Sequence, residues 1–271
     1  MVRAVPDVGG LGGARRVLAA HRAKFGDADG LLRMGLRDVL FAHWPVDPEE
    51  VSGRLPSALD AVTFDGRAWI SVVALRLSDA RPRGAPFGLT FPQVNVRTYV
   101  ERAGGGDGED GGDGGGDEGE TRAVYFFALD ADDRVGVPLA RGLYSLPYYR
   151  ADVRLRREGD GAFAFASRRT HRDAPAAQFD ATYRPVGEAF EAKSGTRASF
   201  LTENYRFYAE GRTLIYGDID HDPWPLYEAE ADVRTNTLVP ACGLDAPSTD
   251  PVFHYSPGVA ATAGRVHLVR G

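Results

Sequence analysis

The segment FPQVNVRTYVE, residues 91–101, alternates small apolar side chains with polar or aromatic ones. Its even positions from 94 to 100 are Val, Val, Thr and Val, and its odd positions from 95 to 101 are Asn, Arg, Tyr and Glu. A period of two places these two sets on opposite faces of a β-strand. A row of Asn, Arg and Tyr means little on an open sheet, but in a closed barrel it could line a polar cavity. The pattern leaves open which face points inward.

Further strand signals follow one another along the chain with short turns between them. An Asp-Gly pair at 65–66 predicts a hairpin between AVTF and RAWISVVALRL. The segments YRADVRLRRE, AFAFASRRTH and QFDATYRP predict an antiparallel meander. We also predict a hairpin across Glu210-Gly211, and short strands at LVPACG (238–243) and VHLV (266–269). Strands therefore dominate the predicted structure.

Helical signals are few. Asp47, followed by a proline and two glutamates, predicts a helix start, and that helix should end near Leu55. Short helices are also predicted over residues 14–24 and 135–144, and the segment from Ser199 begins helically. Without a strand–helix–strand rhythm, the chain is predicted to be mainly β, a β-rich α+β fold. We expect a curved antiparallel sheet that closes into a barrel or cone around a central pocket, with a few short helices.

One domain accounts for most of the chain. Residues 1–30 are predicted to be a loosely ordered lead with a short helix, and residues 31–271 a single β domain. An insertion at 103–121 interrupts this domain between two strands. Residues 104–120 are ten glycines and seven acids, a composition that cannot bury apolar surface and predicts a disordered loop.

The charge distribution restricts the kinds of partner. The net charge is −6, and without the Gly/acidic insertion the balance becomes +1. Such a body lacks the excess of cations that nucleic acid binding requires. No apolar run approaches the ~18–20 residues that span a bilayer, and we expect no signal peptide. We therefore expect a cytoplasmic protein that binds neither nucleic acid nor membrane, and the sequence is compatible with a homo-oligomer.

Motifs for metals and cofactors are not found. The six histidines are isolated, and the single cysteine cannot form a multi-cysteine site, so we expect no metal and no cofactor. His43, beside Trp44 at a strand end, is a candidate for acid–base catalysis. A structural histidine is the competing interpretation.

Several segments together resemble a known family. FAHWPVDPEEVSGRLP, NVRTYV, VYFFALDAD, LARGLYSLPYYRADV, FLTENYRFY and HDPWPL are similar to segments of the YqjF-like family of uncharacterised proteins. That family is placed in the acetoacetate decarboxylase superfamily, and the similarity covers about residues 38–230. The resemblance implies a curved antiparallel barrel or cone around a central pocket.

The resemblance also indicates a departure from decarboxylase chemistry. Acetoacetate decarboxylases carry an arginine-containing segment that ends in a proline followed by lysines, one of which forms a Schiff base with the keto acid. ARGLYSLPYY looks like this segment, but Tyr148 and Tyr149 stand in place of the lysines. The region nearest to the catalytic glutamate of the decarboxylases carries the neutral amides Gln93 and Asn95. Tyrosine can donate a proton but cannot supply the iminium electron sink, so Schiff-base decarboxylation is not expected.

Three functional hypotheses remain open. In the first, the pocket binds a small carboxylate or similar polar metabolite, which we expect to be anionic, through Arg141, with Tyr148, Tyr149, Asn95 and Arg97 around it. In the second, the protein is a lyase, isomerase or hydrolase that does not use lysine. In that case Tyr148 or His43 would act as general acid–base. In the third, the pocket is filled by side chains and the protein is a non-catalytic interaction module.

Overall fold

The structure is a computed structural model that describes residues 30–104, 122–133, 146–211 and 213–269. The described residues form twelve β-strands: β1 (Leu32–Val46), β2 (Leu59–Ala61), β3 (Ala68–Pro82), β4 (Leu89–Arg102), β5 (Ala123–Ala131), β6 (Tyr148–Arg157), β7 (Phe163–Arg169), β8 (Gln178–Phe190), β9 (Arg206–Glu210), β10 (Leu214–His221), β11 (Leu226–Asn236) and β12 (Val252–Leu268). They also form three short α-helices: α1 (Pro48–Ser52), α2 (Arg197–Thr202) and α3 (Leu238–Ala241). A single 3-10 turn spans Gly159–Gly161.

The strands join into one sheet that closes on itself twice. Their order is β10-β9-β5-β6-β7-β8-β11-β12-β1-β3-β4-β2, with further pairings of β10 with β12 and of β4 with β5. A smaller ring therefore runs through β12, β1, β3, β4, β5, β9 and β10. A larger ring shares the first five of these strands and returns through β6, β7, β8 and β11. The mainly β, ring-closed sheet with few short helices confirms the predicted fold class.

The shared strands bury both of their faces. On one face, Leu40 of β1, Val72 of β3 and Val96 of β4 pack with Val153 of β6 and Phe165 of β7, within the larger ring. These residues are apolar at every second position, as a strand with a buried face requires. The opposite face of the same strands is enclosed by the smaller ring and carries polar residues among its apolar ones.

The packing on the opposite face identifies it as the interior of the smaller ring. Tyr99 of β4 lies in one hydrophobic cluster with Phe207 of β9, Ile219 of β10 and Val266 of β12. The same cluster includes Leu201 of α2, so this helix covers part of the interior. Because β9 and β10 belong only to the smaller ring, Tyr99 points into it.

Several predicted elements are confirmed. Asp47 caps α1, and its Oδ1 accepts a 2.9 Å hydrogen bond from the backbone N–H of Glu49. The predicted meander is present as β6, β7 and β8, which pair antiparallel in sequence order. The hairpin across Glu210-Gly211 joins β9 to β10. β4 and β5, the two strands on either side of the Gly/acidic insertion, pair antiparallel.

Two predicted elements are wrong. Asp65 and Gly66 do form the turn, with φ of 53° and 71°. The turn is closed by an isolated bridge between Phe64 and Arg67, and the flanking strands do not pair beyond it. Both edges of β3 are occupied by β1 and β4, so β2 pairs with the end of β4 instead. LVPACG is not a strand, because residues Leu238–Ala241 form α3. Its proline has no N–H to donate to a ladder.

Some predictions lie outside the described residues. These are the predicted helices at residues 14–24 and 135–144, and residues 105–121 of the insertion. Arg141 also lies outside them.

Candidate functional site

The register of the shared strands determines which residues face the smaller ring together. His43 of β1 is paired with Ser71 of β3, and Ser71 is paired with Arg97 of β4. Directly opposed residues lie on the same face of a sheet. His43, Ser71 and Arg97 therefore form a row across three strands, and Asn95 and Tyr99 flank Arg97 on the same face. The face of β4 that carries Asn95, Arg97 and Tyr99 therefore points into the smaller ring.

A sixth polar residue joins the row from β12. His254 is paired with Phe41 of β1, and the ring centroids of His254 and His43 are 5.7 Å apart. We call the six residues the polar cluster: His43, Ser71, Asn95, Arg97, Tyr99 and His254. Five of them are buried, with exposed fractions of at most 4%, and the side chain of Arg97 is half-buried.

Short hydrogen bonds connect part of the polar cluster to α2. The Oγ of Ser71 lies 2.6 Å from Nδ1 of His43 and 2.7 Å from the hydroxyl of Tyr99. The Tyr99 hydroxyl donates to the carbonyl oxygen of Leu201 over 2.8 Å, and it lies 3.3 Å from Nδ1 of His43. These contacts fix the positions of three side chains relative to the helix.

Arg97 is the cation of the polar cluster. Its Nη2 donates to the Leu201 carbonyl over 3.1 Å, and its guanidinium lies 5.7 Å from the centroid of the Phe41 ring and 6.0 Å from that of Tyr99. Among the described residues no carboxylate forms an ion pair with Arg97. A half-buried guanidinium between aromatic rings is well placed to receive an anion.

Four buried polar atoms of the cluster have no hydrogen-bond partner among the described residues. They are Nε2 of His43, Oδ1 of Asn95, Nε of Arg97 and Nδ1 of His254. A buried donor or acceptor that is left unsatisfied costs about 1–3 kcal/mol, and native proteins keep few of them. These four atoms lie on one face of the sheet, within the polar cluster.

The electrostatics of the cluster favour neutral imidazoles. Burial lowers the pKa of His43 well below its ordinary value, and nearby His254, Arg97 and Arg197 lower it further. Burial, with Arg197, lowers the pKa of His254 to about 4. Burial raises the pKa of Tyr99, so its phenol stays protonated at neutral pH. The cluster therefore combines neutral hydrogen-bonding groups with one guanidinium.

The remaining sequence-predicted residues are divided between the two faces. Tyr148 is paired with Leu129 of β5, which is paired with Asn95, so Tyr148 lies on the face of the polar cluster. Its hydroxyl donates to Oε1 of Gln93 over 2.9 Å, and burial raises its pKa. Tyr149 points to the opposite face, where its ring lies 4.0 Å from the guanidinium of Arg169. The structure thus brings His43, Asn95 and Arg97 together, places Tyr148 nearby, and separates Tyr149 from them.

Sequence reasoning missed two members of the polar cluster. Ser71 is the one polar residue within the apolar run AWISVVAL, and such an interruption in a buried strand is a recognisable signal. His254 lies between aromatic residues in the segment VFHYS and carries no comparable signal. Its position beside His43 depends on the pairing of β1 with β12, which are separated by most of the chain.

A separate open cleft lies at the surface beside His221. Its volume is about 530 Å³, and it contains three arginines, Arg33, Arg37 and Arg81, together with the three aspartates Asp79, Asp220 and Asp222. Because these charges are balanced, the cleft offers no clear preference for an anion or a cation. It remains a second location to compare with the polar cluster in binding experiments.

The described residues contain neither a metal-ligand cluster nor a membrane-spanning helix. There, no group of three or more His, Cys, Asp or Glu side chains is arranged to hold a metal ion. None of the described helices is long and apolar enough to span a bilayer.

Comparison with known proteins identifies the family of this chain. Residues 33–260 match the DUF2071 family, which is described as an uncharacterized conserved protein. The chain is also 37% identical over 234 residues to the uncharacterized protein YqjF of Bacillus subtilis (strain 168), covering 85% of this chain and 89% of that relative. The chain belongs to the DUF2071 family.

Solved structures similar to this DUF2071 chain have the acetoacetate decarboxylase-like fold. The enduracididine biosynthesis enzyme MppR, complexed with pyruvate, aligns with a TM-score of 0.57 at 12% identity, covering 88% of this chain and 89% of that chain. Acetoacetate decarboxylase from Legionella pneumophila aligns with a TM-score of 0.56 at 12% identity, covering 89% and 88%. At such low identity these alignments show the fold alone.

Proposed function

We propose that this DUF2071 protein binds a small carboxylate, or a polar metabolite of similar charge, at the polar cluster, without forming a Schiff base. The observation that carries the proposal is the half-buried guanidinium of Arg97, which has neither an ion-pair partner nor a hydrogen-bond partner for its buried Nε in the part of the chain that the structure describes. A ligand carboxylate would satisfy that N–H and neutralise the charge.

The energetics favour an anion over a neutral guest. A charge-assisted hydrogen bond to a guanidinium contributes about 1.5–3 kcal/mol net. The potential around the cluster adds to this, since Arg97 and Arg197 both lower the pKa of His43 and no acid is among the causes of its shift. Asn95, whose Oδ1 has no described hydrogen-bond partner, supplies a further contact that orients the ligand.

The sequence resemblance adds a second cation to the proposed site. Arg141 belongs to the segment that resembles the arginine-containing segment of the decarboxylases, and that segment leads directly into Tyr148. Because Tyr148 lies on the face of the polar cluster, we include Arg141 as a second anion-binding residue. MppR, which shares the fold, has been solved in complex with pyruvate, a small carboxylate of the proposed size.

The positions of the lysines support binding without an imine. The chain has two, Lys24 and Lys193, and Lys193 is exposed. The segments that form the polar cluster contain none, and Tyr148 and Gln93 occupy the positions that the resemblance assigns to the decarboxylase chemistry. Tyrosine has no amine that could condense with a ketone.

Acid–base catalysis by His43 or Tyr148 is less well supported than binding. The lowered pKa of His43 makes its imidazole a weak base, and the raised pKa of Tyr148 keeps its phenol protonated. An efficient general acid–base has a pKa near the working pH. Both side chains are better suited to hydrogen bonding a ligand than to moving its protons.

A thermal-shift series tests the proposed function. The probes are pyruvate, lactate and acetoacetate, with acetone and lactamide as neutral analogues. A ligand at about 100 times its Kd stabilises the fold by about 2.7 kcal/mol, which is readily measured. We expect the acids to raise the melting temperature of the wild type, and Arg97→Met and Arg141→Met to reduce that effect.

Arg154→Met is the matched control, because Arg154 is an exposed arginine on β6. It should respond to the acids like the wild type. The proposed function would be contradicted if no acid stabilised the wild type, or if the neutral analogues stabilised it equally well.

A further inference from the structure

A chain of hydrogen bonds fixes where the hydrogens lie in the polar cluster. The carbonyl oxygen of Leu201 can only accept, so the Tyr99 hydroxyl, 2.8 Å away, must donate its single hydrogen to it. The oxygen of Tyr99 also lies 2.7 Å from Oγ of Ser71. Since Tyr99 has no hydrogen left for this contact, Ser71 is the donor.

The same accounting determines the tautomer of His43. Ser71 has one hydroxyl hydrogen, and Tyr99 receives it, so Ser71 accepts in its 2.6 Å contact with Nδ1 of His43. The hydrogen of His43 is therefore on Nδ1. The longer 3.3 Å contact between Nδ1 and the Tyr99 oxygen agrees with this arrangement, because the same N–H can be shared between the two oxygens.

A neutral imidazole with its hydrogen on Nδ1 carries a bare lone pair on Nε2. That nitrogen is buried and has no partner among residues 30–104, 122–133, 146–211 and 213–269, so the site presents an acceptor that requires a donor. Nε of Arg97 is also buried, and it has no partner within the same described ranges, so it requires an acceptor. A single guest that satisfies both must carry a hydrogen-bond acceptor and a hydrogen-bond donor, and the charge of the guanidinium favours an anionic acceptor.

We propose that the polar cluster prefers small hydroxy acids to the matching keto acids, with the carboxylate on Arg97 and the ligand hydroxyl donating to Nε2 of His43. This inference rests on the proposed function, because it specifies the ligand class of the same site. A keto oxygen has only lone pairs to offer Nε2 and leaves that nitrogen unsatisfied. A site built to bind a hydroxyl discriminates strongly against an analogue that lacks it.

Isothermal titration calorimetry with matched acids tests the preference. The pairs are lactate, as each enantiomer, against pyruvate, and 3-hydroxybutyrate against acetoacetate. For the wild type we expect the better hydroxy acid of a pair to bind about tenfold more tightly than the keto acid, or more. Equal affinities, or tighter binding of the keto acids, would overturn the inference while leaving the proposed function intact.

Tyr99→Phe tests the hydrogen-bond chain behind the preference. Without the Tyr99 hydroxyl, Ser71 is free to donate to Nδ1, and His43 can place its hydrogen on Nε2. The preference for hydroxy acids should then fall toward equality, whereas it should persist in Tyr227→Phe, a half-buried tyrosine of β11 packed in the larger ring. A preference that survives Tyr99→Phe would contradict the proposed role of the chain.

The tautomer can also be measured without any ligand. Nitrogen NMR of histidine-labelled protein distinguishes a protonated ring nitrogen from an unprotonated one, and we expect His43 to be protonated on Nδ1 alone. Ser71→Ala should disturb this state, and Ser78→Ala, elsewhere on β3, should not. A hydrogen on Nε2 of the wild type would overturn the inference, and binding of no acid at all would overturn both it and the proposed function.

Discussion

The hydroxyl of Tyr148 donates a 2.9 Å hydrogen bond to Oε1 of Gln93. According to the sequence resemblance, these residues occupy the regions in which the decarboxylases carry a Schiff-base lysine and a glutamate. Here the two side chains satisfy each other as neutral groups. This contact involves neither an amine nor a carboxylate, and the proposed anion site lies beside it at the polar cluster.

Tyr148→Phe should destabilise the protein. Gln93 is buried, and losing its donor would leave Oε1 without this partner, at a cost of about 1–2 kcal/mol in the free energy of unfolding. Urea denaturation measures the change. Tyr227→Phe, which removes a hydroxyl from a half-buried tyrosine, should change stability by less than about 0.5 kcal/mol. Similar losses in the two variants would mean that the bond to Gln93 contributes nothing specific.

A keto acid should form no imine with this protein. We expect treatment with pyruvate and borohydride to leave the mass of the wild type unchanged, because the segments that build the polar cluster carry no lysine. Intact-mass spectrometry detects any adduct. Lys193→Arg controls for reaction at that exposed amine. A stoichiometric adduct that persists in Lys193→Arg would show that Schiff-base chemistry is available.

The buried ion pair on the opposite face should be essential for stability. Arg169 donates to both carboxylate oxygens of Asp130, at 2.7 to 3.1 Å, and both side chains are almost fully buried. Arg169→Met would leave an uncompensated buried acid and should cost about 3–5 kcal/mol in chemical denaturation. Arg168→Met, which breaks the exposed pair with Asp152, should cost at most about 1 kcal/mol. Equal costs would show that burial of the Asp130 pair is unimportant.

Glu203 should make stability depend on pH. Its carboxylate accepts from the Tyr205 hydroxyl at 2.5 Å and from the backbone N–H of Trp224 at 3.1 Å, yet burial raises its pKa to about 7 from 4.5. Between these values the folded state binds more protons than the unfolded state, so Glu203 makes stability fall as the pH rises through this window. The change is up to about 1.4 kcal/mol per pH unit.

Denaturation of the wild type and of Glu203→Gln across pH 4 to 8 measures this contribution as a difference. The comparison is needed because His221 and His254, whose pKa values burial lowers to about 4, act in the opposite sense and make stability rise with pH up to about 6.5. Relative to the wild type, Glu203→Gln should gain stability steadily as the pH rises. Exposed Glu210→Gln should follow the wild type, and parallel curves for Glu203→Gln and the wild type would contradict the account.

Local patterns predicted the elements of this fold well. The period of two in residues 91–101 gave β4, and the Asp47 cap gave α1, because both depend on neighbours in sequence. The prediction of a strand at LVPACG is wrong because its apolar residues resemble those of a short buried strand, whereas they form α3 in the structure. The turn at Asp65-Gly66 was recognised, but its strand partners were not, since these depend on which edges of β3 are already occupied.

The candidate site could be predicted only in part, since its residues come from distant parts of the chain. His43, Asn95 and Arg97 were identified individually, but their common face follows from the pairing of β1 with β3 and of β3 with β4. Ser71 and His254 enter the site through register, which no short pattern encodes. Tyr148 and Tyr149 are adjacent in a strand, so alternation alone requires that only one of them can face the cluster.

A crystal structure of the protein grown with lactate would test the central claim most directly. The account predicts a bound acid at the polar cluster, with its carboxylate within hydrogen-bonding distance of Arg97 and its hydroxyl directed at Nε2 of His43. Two results would contradict the account. In one, lactate occupies the surface cleft beside Arg33 and the polar cluster is empty. In the other, no lactate is bound at a concentration that stabilises the fold.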